Sequence, residues 1–184
     1  MEIYFSFFIF LVDIMDIVVR EIKNEENEIN RVKEFLFNQI NAEYHIGPTA
    51  KFHYDIFGLN EYYIAPTHNN FFVAFDGDKI VATIGIRVYD KDFEFFKGIY
   101  SSEDTASIWR LMVDRNYRRK GIARLLVNEA ENFARNAGYD RIYLHTHRYL
   151  ESGLPFWKSV GYAITVEEED YDETTHMEKL LNDK

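Results

Sequence analysis

The basic segment at residues 118–123 is the part of this sequence best suited to bind a phosphate group. It reads Arg118-Arg-Lys-Gly-Ile-Ala123, and Arg124 follows it. A predicted helix begins here, and the unpaired N–H groups and the dipole of a helix start attract anions. Gly121 and Ala123 are small enough to let an anion approach the backbone, while the cationic side chains add charge. The alternative is a solvated helix start whose charges merely cluster.

The composition limits the kind of protein. A length of 184 residues with 47% hydrophobic residues suits one domain with a sizeable core. The formal net charge of −10 argues against a general nucleic-acid binder and mildly favours cationic partners, although a solubility role explains it equally simply. The absence of cysteine excludes disulfides, thiolate metal sites and a cysteine nucleophile.

The N-terminal segment is apolar but short. Residues 3–12 fall below the roughly 20 residues that a membrane-spanning helix needs. Acidic rather than basic residues flank the segment, which is atypical of a signal peptide. We therefore expect a soluble, cytoplasmic protein without membrane association. Residues 1–14 are interpreted as a peripheral extension or a misassigned start, with the domain covering residues 15–184.

Hydrophobic periodicity predicts the elements of the first half of the chain. An Asp76-Gly77-Asp78 turn between two apolar runs is typical of a tight β-hairpin. Residues 43–70 are rich in polar and aromatic residues and are expected to be irregular apart from one short helix. The predicted elements are a strand at 16–22, a helix at 24–41, a short helix at 52–59, and strands at 71–75 and 79–89.

The second half contains the clearest amphipathic helix, at residues 118–137. Its apolar face includes Ile122, Leu126 and Ala130, and Gly138 suits a left-handed C-terminal cap. A strand before it and a strand after it imply a right-handed parallel crossover. The other predicted elements are strands at 106–113, 141–147, 162–166 and 174–181 and a helix at 151–160.

The stretch from 108 to 138 resembles the GNAT superfamily of acetyl-CoA-dependent N-acetyltransferases. Its signature is Arg or Gln, two residues, Gly, one residue, then Gly or Ala, matched here by Arg118, Gly121 and Ala123. With the hairpin and the later Gly161-Tyr162 step, the resemblance extends over about residues 15–181. It implies a single α/β (α+β) domain with a mostly antiparallel, splayed sheet of six to seven strands, about four helices and one parallel βαβ crossover.

The resemblance also implies where acetyl-CoA binds. The cofactor would lie in a gap between the strands that end at Val113 and His147, with its pyrophosphate on the main chain of residues 119–124. Its pantetheine arm would pair with the main chain of residues 111–113, and the Arg118 side chain would organise the loop. The implied cofactor-binding residues are Leu111, Met112, Val113, Arg118, Arg119, Lys120, Gly121, Ile122, Ala123 and Arg124.

The implied reaction is direct attack of a neutral amine on the thioester, without an acyl-enzyme. An alkylamine is protonated at neutral pH, so a proton must first leave it. Where relatives carry an acidic tyrosine this chain has Trp157, and Leu150 lies nearest the place of a frequent asparagine. Tyr149 is the candidate acid; alternatively the thiolate leaves unassisted.

The general base is open among several side chains. Glu103 and Asp104 precede the central strand, and His145 and His147 lie at the far side of the gap. Relatives often carry glutamate where this chain has Ser107. The catalytic residues are predicted to be Glu103, Tyr149 and His147. The two histidines share a strand face as a metal pair would, but no third ligand follows at fixed spacing, so no metal is predicted.

The acceptor side is expected to be aromatic. If the family layout holds, the connection 93–100 and several aromatic residues cover it, with carboxylates that would receive an ammonium group. The alternative is that these residues only cover the sheet. The residues in question are Tyr54, Tyr62, Tyr63 and His68 with the carboxylates Asp55 and Glu61. Trp109 and Trp157 are expected to be core or wall residues.

The leading functional prediction is an acetyl-CoA-dependent N-acetyltransferase acting on a small amine, a peptide N-terminus or a lysine. Its predicted partners are acetyl-CoA and the amine, with no nucleic acid and with a homodimer left open. The alternative is a catalytically silent acyl-CoA-binding module, suggested by Trp157 and Ser107 in places where relatives have polar groups. A dinucleotide-binding enzyme is disfavoured because no Gly-x-Gly-x-x-Gly follows a strand.

Overall fold

The computed structural model describes residues 16–169, 171 and 173–181. The predictions for residues 1–14, and for Met15 as a start, fall outside this part of the chain. Within it, seven strands form one sheet in the order β1-β2-β3-β4-β5-β7-β6. The strands are β1 (Ile17–Glu21), β2 (Asn70–Asp76), β3 (Lys79–Val88), β4 (Thr105–Val113), β5 (Arg141–His147), β6 (Ala163–Glu167) and β7 (Thr174–Leu180).

The helices are distributed over both faces of the sheet. They are α1 (Glu26–Tyr44), α2 (Ala50–Phe57), α3 (Ile122–Asn136) and α4 (Gly153–Ser159), with a π-helical turn at Asn60–Ile64. The mixed α/β class, the mostly antiparallel sheet and the single parallel pair confirm the predicted fold class.

The segment at residues 43–70 is more regular than the sequence analysis predicted. It contains α2 and the π-helical turn, and Ile56, Leu59 and Tyr63 are buried against the sheet. Their spacing of three and four residues is helical, but the polar, proline-containing surroundings obscure it. Burial of these three side chains stabilises helical turns that local composition does not favour.

Two local predictions are confirmed by the backbone. β2 and β3 form an antiparallel hairpin with Asp76 opposite Lys79, and Gly77 between them has φ 57°. β4 and β5 are parallel and are joined by α3, which ends before Gly138 at φ 90°. Both glycines occupy left-handed conformations that other residues adopt at a cost.

The sheet opens between its central strands β4 and β5. Their pairing consists of Thr105 with Arg141, Ala106 with Ile142, and Ser107 with Tyr143. Beyond these pairs, β4 continues for six residues to Val113 and β5 for four residues to His147, but the two strands no longer pair with each other. A wedge-shaped gap, called here the central gap, therefore separates the two strand ends.

A β-bulge in β4 accompanies this opening. The register between β3 and β4 shifts between Thr83 and Gly85, and Arg110 adopts φ 51° on the opposite strand. The Thr83 hydroxyl donates a hydrogen bond to the Arg110 carbonyl over 2.9 Å. A bulge bends its strand and increases the local twist, which turns the end of β4 away from β5.

We predict that Gly85→Ala destabilises the sheet at its contact with the π-helical turn. A Cβ at this position would lie 2.6 Å from Cε1 of Tyr63 and 3.1 Å from Cδ2 of Phe71. The buried Tyr63 ring cannot swing away easily because its hydroxyl donates to Asp55 over 2.7 Å. Overpacking of this kind lowers the free energy of unfolding by about 1–3 kcal/mol.

Urea denaturation measures this loss, and Gly47→Ala is the matched control. A Cβ on Gly47 would meet no described atom within 4 Å. Equal stability of the two variants would contradict the predicted close contact.

Candidate active site

The loop between β4 and α3 exposes a helix start at one end of the central gap. Gly121 is the N-cap of α3 with φ 83°, and Arg119 before it has φ 63°. A Cβ on Gly121 would meet no described atom within 4 Å, so this position faces open space. The N–H groups in the first turn of a helix lack intrahelical acceptors, so the start of α3 is suited to bind an anion.

The Arg118 side chain fastens this loop to its surroundings. Its Nε donates to the carbonyl of Val113 over 3.1 Å, and its Nη2 donates to the Glu43 carboxylate at the end of α1. Arg115 donates to the same carboxylate over 3.0 Å. Partial burial alone would raise the pKa of Glu43, but the hydrogen bonds from the two arginines outweigh it and lower the pKa below its ordinary value.

The strand segment at residues 111–113 borders the central gap. Leu111, Met112 and Val113 are partly buried, and beyond Ser107 the described residues provide no strand partner on the β5 side of β4. Main-chain groups along such an edge remain open to a ligand. The ten predicted cofactor-binding residues lie on this strand end, in the loop before α3 and in the first turn of α3.

The candidates His147 and Tyr149 lie together at the end of β5. Their rings are stacked with centroids 5.2 Å apart, and the Tyr44 ring contacts Tyr149 edge-on at 6.5 Å. Burial raises the pKa of Tyr44 to about 12, so its hydroxyl remains protonated at neutral pH. This group offers an imidazole and two phenols beside the open end of the gap.

Glu103 does not belong to this group, which corrects the sequence analysis. It precedes Thr105, which pairs with Arg141 at the opposite end of β5 from His147. Six residues of strand separate these ends by about 20 Å. Asp104 lies at the same closed end, where its carboxylate accepts hydrogen bonds from the hydroxyls of Ser101 and Thr105. The central gap opens toward the C-terminal end of β4, whereas the carboxylates of Glu103 and Asp104 lie before the first residue of that strand.

Trp157 is a core residue, as expected. It is 6% exposed, belongs to the apolar layer between the sheet and α3, and contacts the Tyr162 ring at 5.1 Å. The indole therefore fills the place where the acid of relatives was expected.

Sequence reasoning missed three cations that surround Trp109. Lys91 Nζ lies 3.8 Å from the centre of the indole, Arg87 Cζ 4.5 Å and Arg110 Cζ 5.9 Å. Across the central gap, the indole contacts the His145 ring at 6.5 Å. The signal in the sequence was the presence of arginines inside otherwise apolar strands, which demands a partner or a ligand.

Asp55 is the buried partner of Arg110 and is not open to an ammonium group, so of the two alternatives in the sequence analysis it fits the one in which these residues only cover the sheet. It is fully buried and accepts hydrogen bonds from Nε of Arg110 over 2.9 Å and from the Tyr63 hydroxyl over 2.7 Å. Burial alone would raise its pKa, but the hydrogen bonds and charge of Arg110 lower it below its ordinary value.

The rings of Tyr54 and Tyr62, which were expected to receive an ammonium group of the acceptor, contact a cation of the protein instead. The guanidinium of Arg87 lies 5.7 Å from the Tyr54 ring centre and 5.2 Å from that of Tyr62, so a cation of the protein already occupies them. His68 lies elsewhere, since its carbonyl accepts a hydrogen bond from the Tyr139 hydroxyl beyond the end of α3.

Burial and charge also change the pKa values of two groups that face the central gap, Lys91 and His145. Desolvation lowers the pKa of Lys91 to about 8. His145 is exposed at the surface of the described structure, but neighbouring protein atoms partly desolvate its ring. This desolvation, together with the charge of Lys91, lowers the pKa of His145 below its ordinary value, so the ring is neutral at pH 7.

The described part of the chain contains no cluster of three or more His, Asp or Glu side chains arranged to hold a metal ion. Among residues 16–169, 171 and 173–181, no helix combines the length and apolar character needed to cross a bilayer.

The open gap and the exposed helix start also occur in a known protein family, which comparisons with known sequences and structures identify. The sequence profile of the acetyltransferase (GNAT) family matches residues 33–162, and the chain belongs to this family. Among solved structures, a PaiA N-acetyltransferase from Thermoplasma acidophilum in complex with coenzyme A has the same fold, with a TM-score of 0.66 and 20% identity, covering 90% of this chain and 99% of that one.

The similarity between this chain and its curated relatives covers only part of each relative. N-acetyltransferase 8 of Homo sapiens is 28% identical over 60% of this chain and 46% of the relative. N-acetylaspartate synthetase of Danio rerio is 27% identical over 65% of this chain and 38% of the relative. The chain therefore spans less than half the length of these relatives.

We predict that Asp55→Asn strongly destabilises the protein, because it leaves the Arg110 charge without its buried partner. Breaking such a pair costs about 3–5 kcal/mol in the free energy of unfolding. The pKa of Asp55 is lowered. Its contribution is therefore fully present above the unfolded value of about 3.9 and is lost as the pH falls through the lower folded value.

Denaturation at pH 7 and at acid pH measures the effect, with Asp78→Asn, an exposed residue of the β2–β3 turn, as the control. A loss at Asp55 no larger than the loss at Asp78 would contradict the role given to the buried pair.

Proposed function

We propose that this protein transfers an acetyl group from acetyl-CoA directly to a primary amine. The observation that carries the proposal is the central gap, which is bordered by the open edge of β4 and ends at the glycine-capped start of α3. The gap offers main-chain groups along its length and an anion site at its end. This order matches the pantetheine arm and the pyrophosphate of coenzyme A.

The residues fit the cofactor by their shape and charge. The open space over Gly121 is the place that a phosphate requires, and the first-turn N–H groups would donate to it. Arg119, Lys120 and Arg124 add positive charge around it. Arg118 instead holds the loop in position through Val113 and Glu43. The coenzyme A complex of the Thermoplasma acidophilum protein, which has the same fold, supports this assignment.

Acetyl-CoA supplies the acetyl group as a thioester. The acceptor ammonium group first loses a proton, and its nitrogen then forms a bond to the thioester carbon. The carbon–sulfur bond breaks with the electron pair going to sulfur, and the nitrogen releases a second proton as the neutral amide forms, which balances the proton taken up by the thiolate. We assign His147 to receive the proton directly or through water, and Tyr149 to protonate the leaving thiolate. The Danio rerio relative is named for N-acetylaspartate, the acetylated form of an amino acid, which keeps amino acids among the candidate acceptors.

A catalytically silent acyl-CoA-binding module is the second candidate. The observation in its favour is that Trp157 is buried where an acid was expected, and that Ser107 on β4 is buried with its hydroxyl unpartnered among the described residues. Neither side chain would accept a proton from an amine.

Release of free thiol from acetyl-CoA, measured with amino acids, alkylamines and peptides, distinguishes the two candidates. We expect release above the rate without acceptor for at least one class. His147→Gln should lower kcat by about 100-fold if it is the base. Tight binding of acetyl-CoA without thiol release would favour the silent module.

Gly121→Glu should weaken the binding of CoA at least tenfold, because it places a carboxylate in the proposed phosphate site. Isothermal titration measures this affinity. The matched control is Gly77→Glu, since Gly77 also has positive φ, 57° against 83°, and no described atom near its Cβ position. Both variants share the backbone strain and the added charge. Unchanged CoA affinity in Gly121→Glu would show that the phosphate site lies elsewhere.

A further inference from the structure

The cations around Trp109 form a basic pocket on the acceptor side of the central gap. The basic pocket consists of Arg87, Lys91 and Arg110 around the indole, with His145 facing it across the gap. Trp109 directly precedes the bulge at Arg110. The pocket therefore adjoins the strand segment along which the thioester is proposed to lie.

The pocket has more positive than negative charge. Asp55 pairs with Arg110 and Asp90 with Arg87, which leaves the ammonium group of Lys91. Within the described residues, no carboxylate oxygen lies within salt-bridge distance of Lys91 Nζ, and Asp90 and Asp55 act on its charge only at longer range. A desolvated cation whose nearest partner is a ring face rather than a carboxylate is costly, and an anion that enters the pocket would reduce the cost.

Hydrogen-bond donors are also in excess. Nη1 of Arg87, a residue that is 3% exposed, and Nε1 of Trp109 are buried, and neither has an acceptor among the described residues. Both groups can only donate. Buried donors normally have partners, so the pocket lacks acceptor atoms as well as negative charge.

We infer that the acetyl acceptor is an amine that carries a carboxylate next to its amino group, as an α-amino acid does, and that Lys91 binds this carboxylate. The inference rests on the proposed function. Lys91 is the cation without a carboxylate at salt-bridge distance among the described residues, whereas Arg87 is buried and paired with Asp90. A single carbon separates the amine from the carboxylate in such an acceptor, so binding at Lys91 keeps the nitrogen beside Trp109 and the gap.

The positive charge of the basic pocket also favours the neutral, nucleophilic form of the acceptor amine. A nearby cation disfavours the protonated form of an amine and lowers its pKa. The carboxylate of the acceptor offsets the repulsion that the amine alone would experience on entering. The amine then loses its proton to His147 or water more readily, which reduces the need for the strong base that Ser107 fails to provide. Acceptors with a second ammonium group, such as polyamines, are repelled.

Paired acceptors test the inference. Thiol release is measured with an α-amino acid and with its α-carboxamide, for example L-aspartate and L-aspartic acid α-amide, and for several other side chains. The carboxamide has the less basic amine and is the more reactive partner in water, so intrinsic reactivity favours it. We expect kcat/KM to be at least tenfold higher for the acid. Equal or better use of the amides, with turnover present, would overturn the inference and leave the proposed function intact.

Lys91→Met should raise KM for the acid at least tenfold and leave KM for the amide and the affinity for CoA within about twofold. Lys97→Met is the control, because Lys97 lies in the same connection but is exposed and paired with Glu94. Lys91→Arg should retain most of the preference. Lys91→Met should melt no lower than the wild type, since the removed charge is desolvated and has no carboxylate at salt-bridge distance among the described residues.

An equal rise of KM for acid and amide in Lys91→Met would also overturn the inference. Absence of thiol release with every acceptor would overturn the proposed function and, with it, the inference.

Discussion

The buried ion pair between Arg110 and Asp55 fixes the geometry on which the rest of the site depends. Arg110 occupies the β4 bulge with φ 51°, and the fully buried Asp55 belongs to α2 on the covering layer. Each charge is tolerated in the interior because the other is present. The pair therefore joins the bulged strand to the helices above it, at the level where β4 separates from β5.

The separation of β4 and β5 explains why binding relies on main-chain groups. Pairing ends at Ser107 and Tyr143, and the strand ends beyond them have backbone groups that need partners. The start of α3 has the same property, since its first N–H groups lack acceptors. Recognition by main chain requires small residues such as Gly121 where the backbone must be approached, and places few demands on the other side chains.

The charge of the site is opposite to that of the whole chain. The formal net charge is −10, yet Arg87, Lys91 and Arg110 surround one indole. Charges removed from water interact more strongly than solvated ones, so the local cations determine what enters the pocket. Burial removes part of the water around Lys91, which disfavours its charged form and lowers its pKa. Such a shift is typical of functional residues.

The sequence by itself determined the elements and the signature, because both depend on local spacing. The hairpin at Asp76-Gly77, the apolar face of α3 and the small residues of the loop each depend on residues that are close together in the sequence. Only the tertiary structure decided which end of β4 is open, and so excluded Glu103 from the proposed site. It also paired Asp55 with Arg110 across 55 residues, because burial and charge pairing depend on contacts that local patterns do not encode.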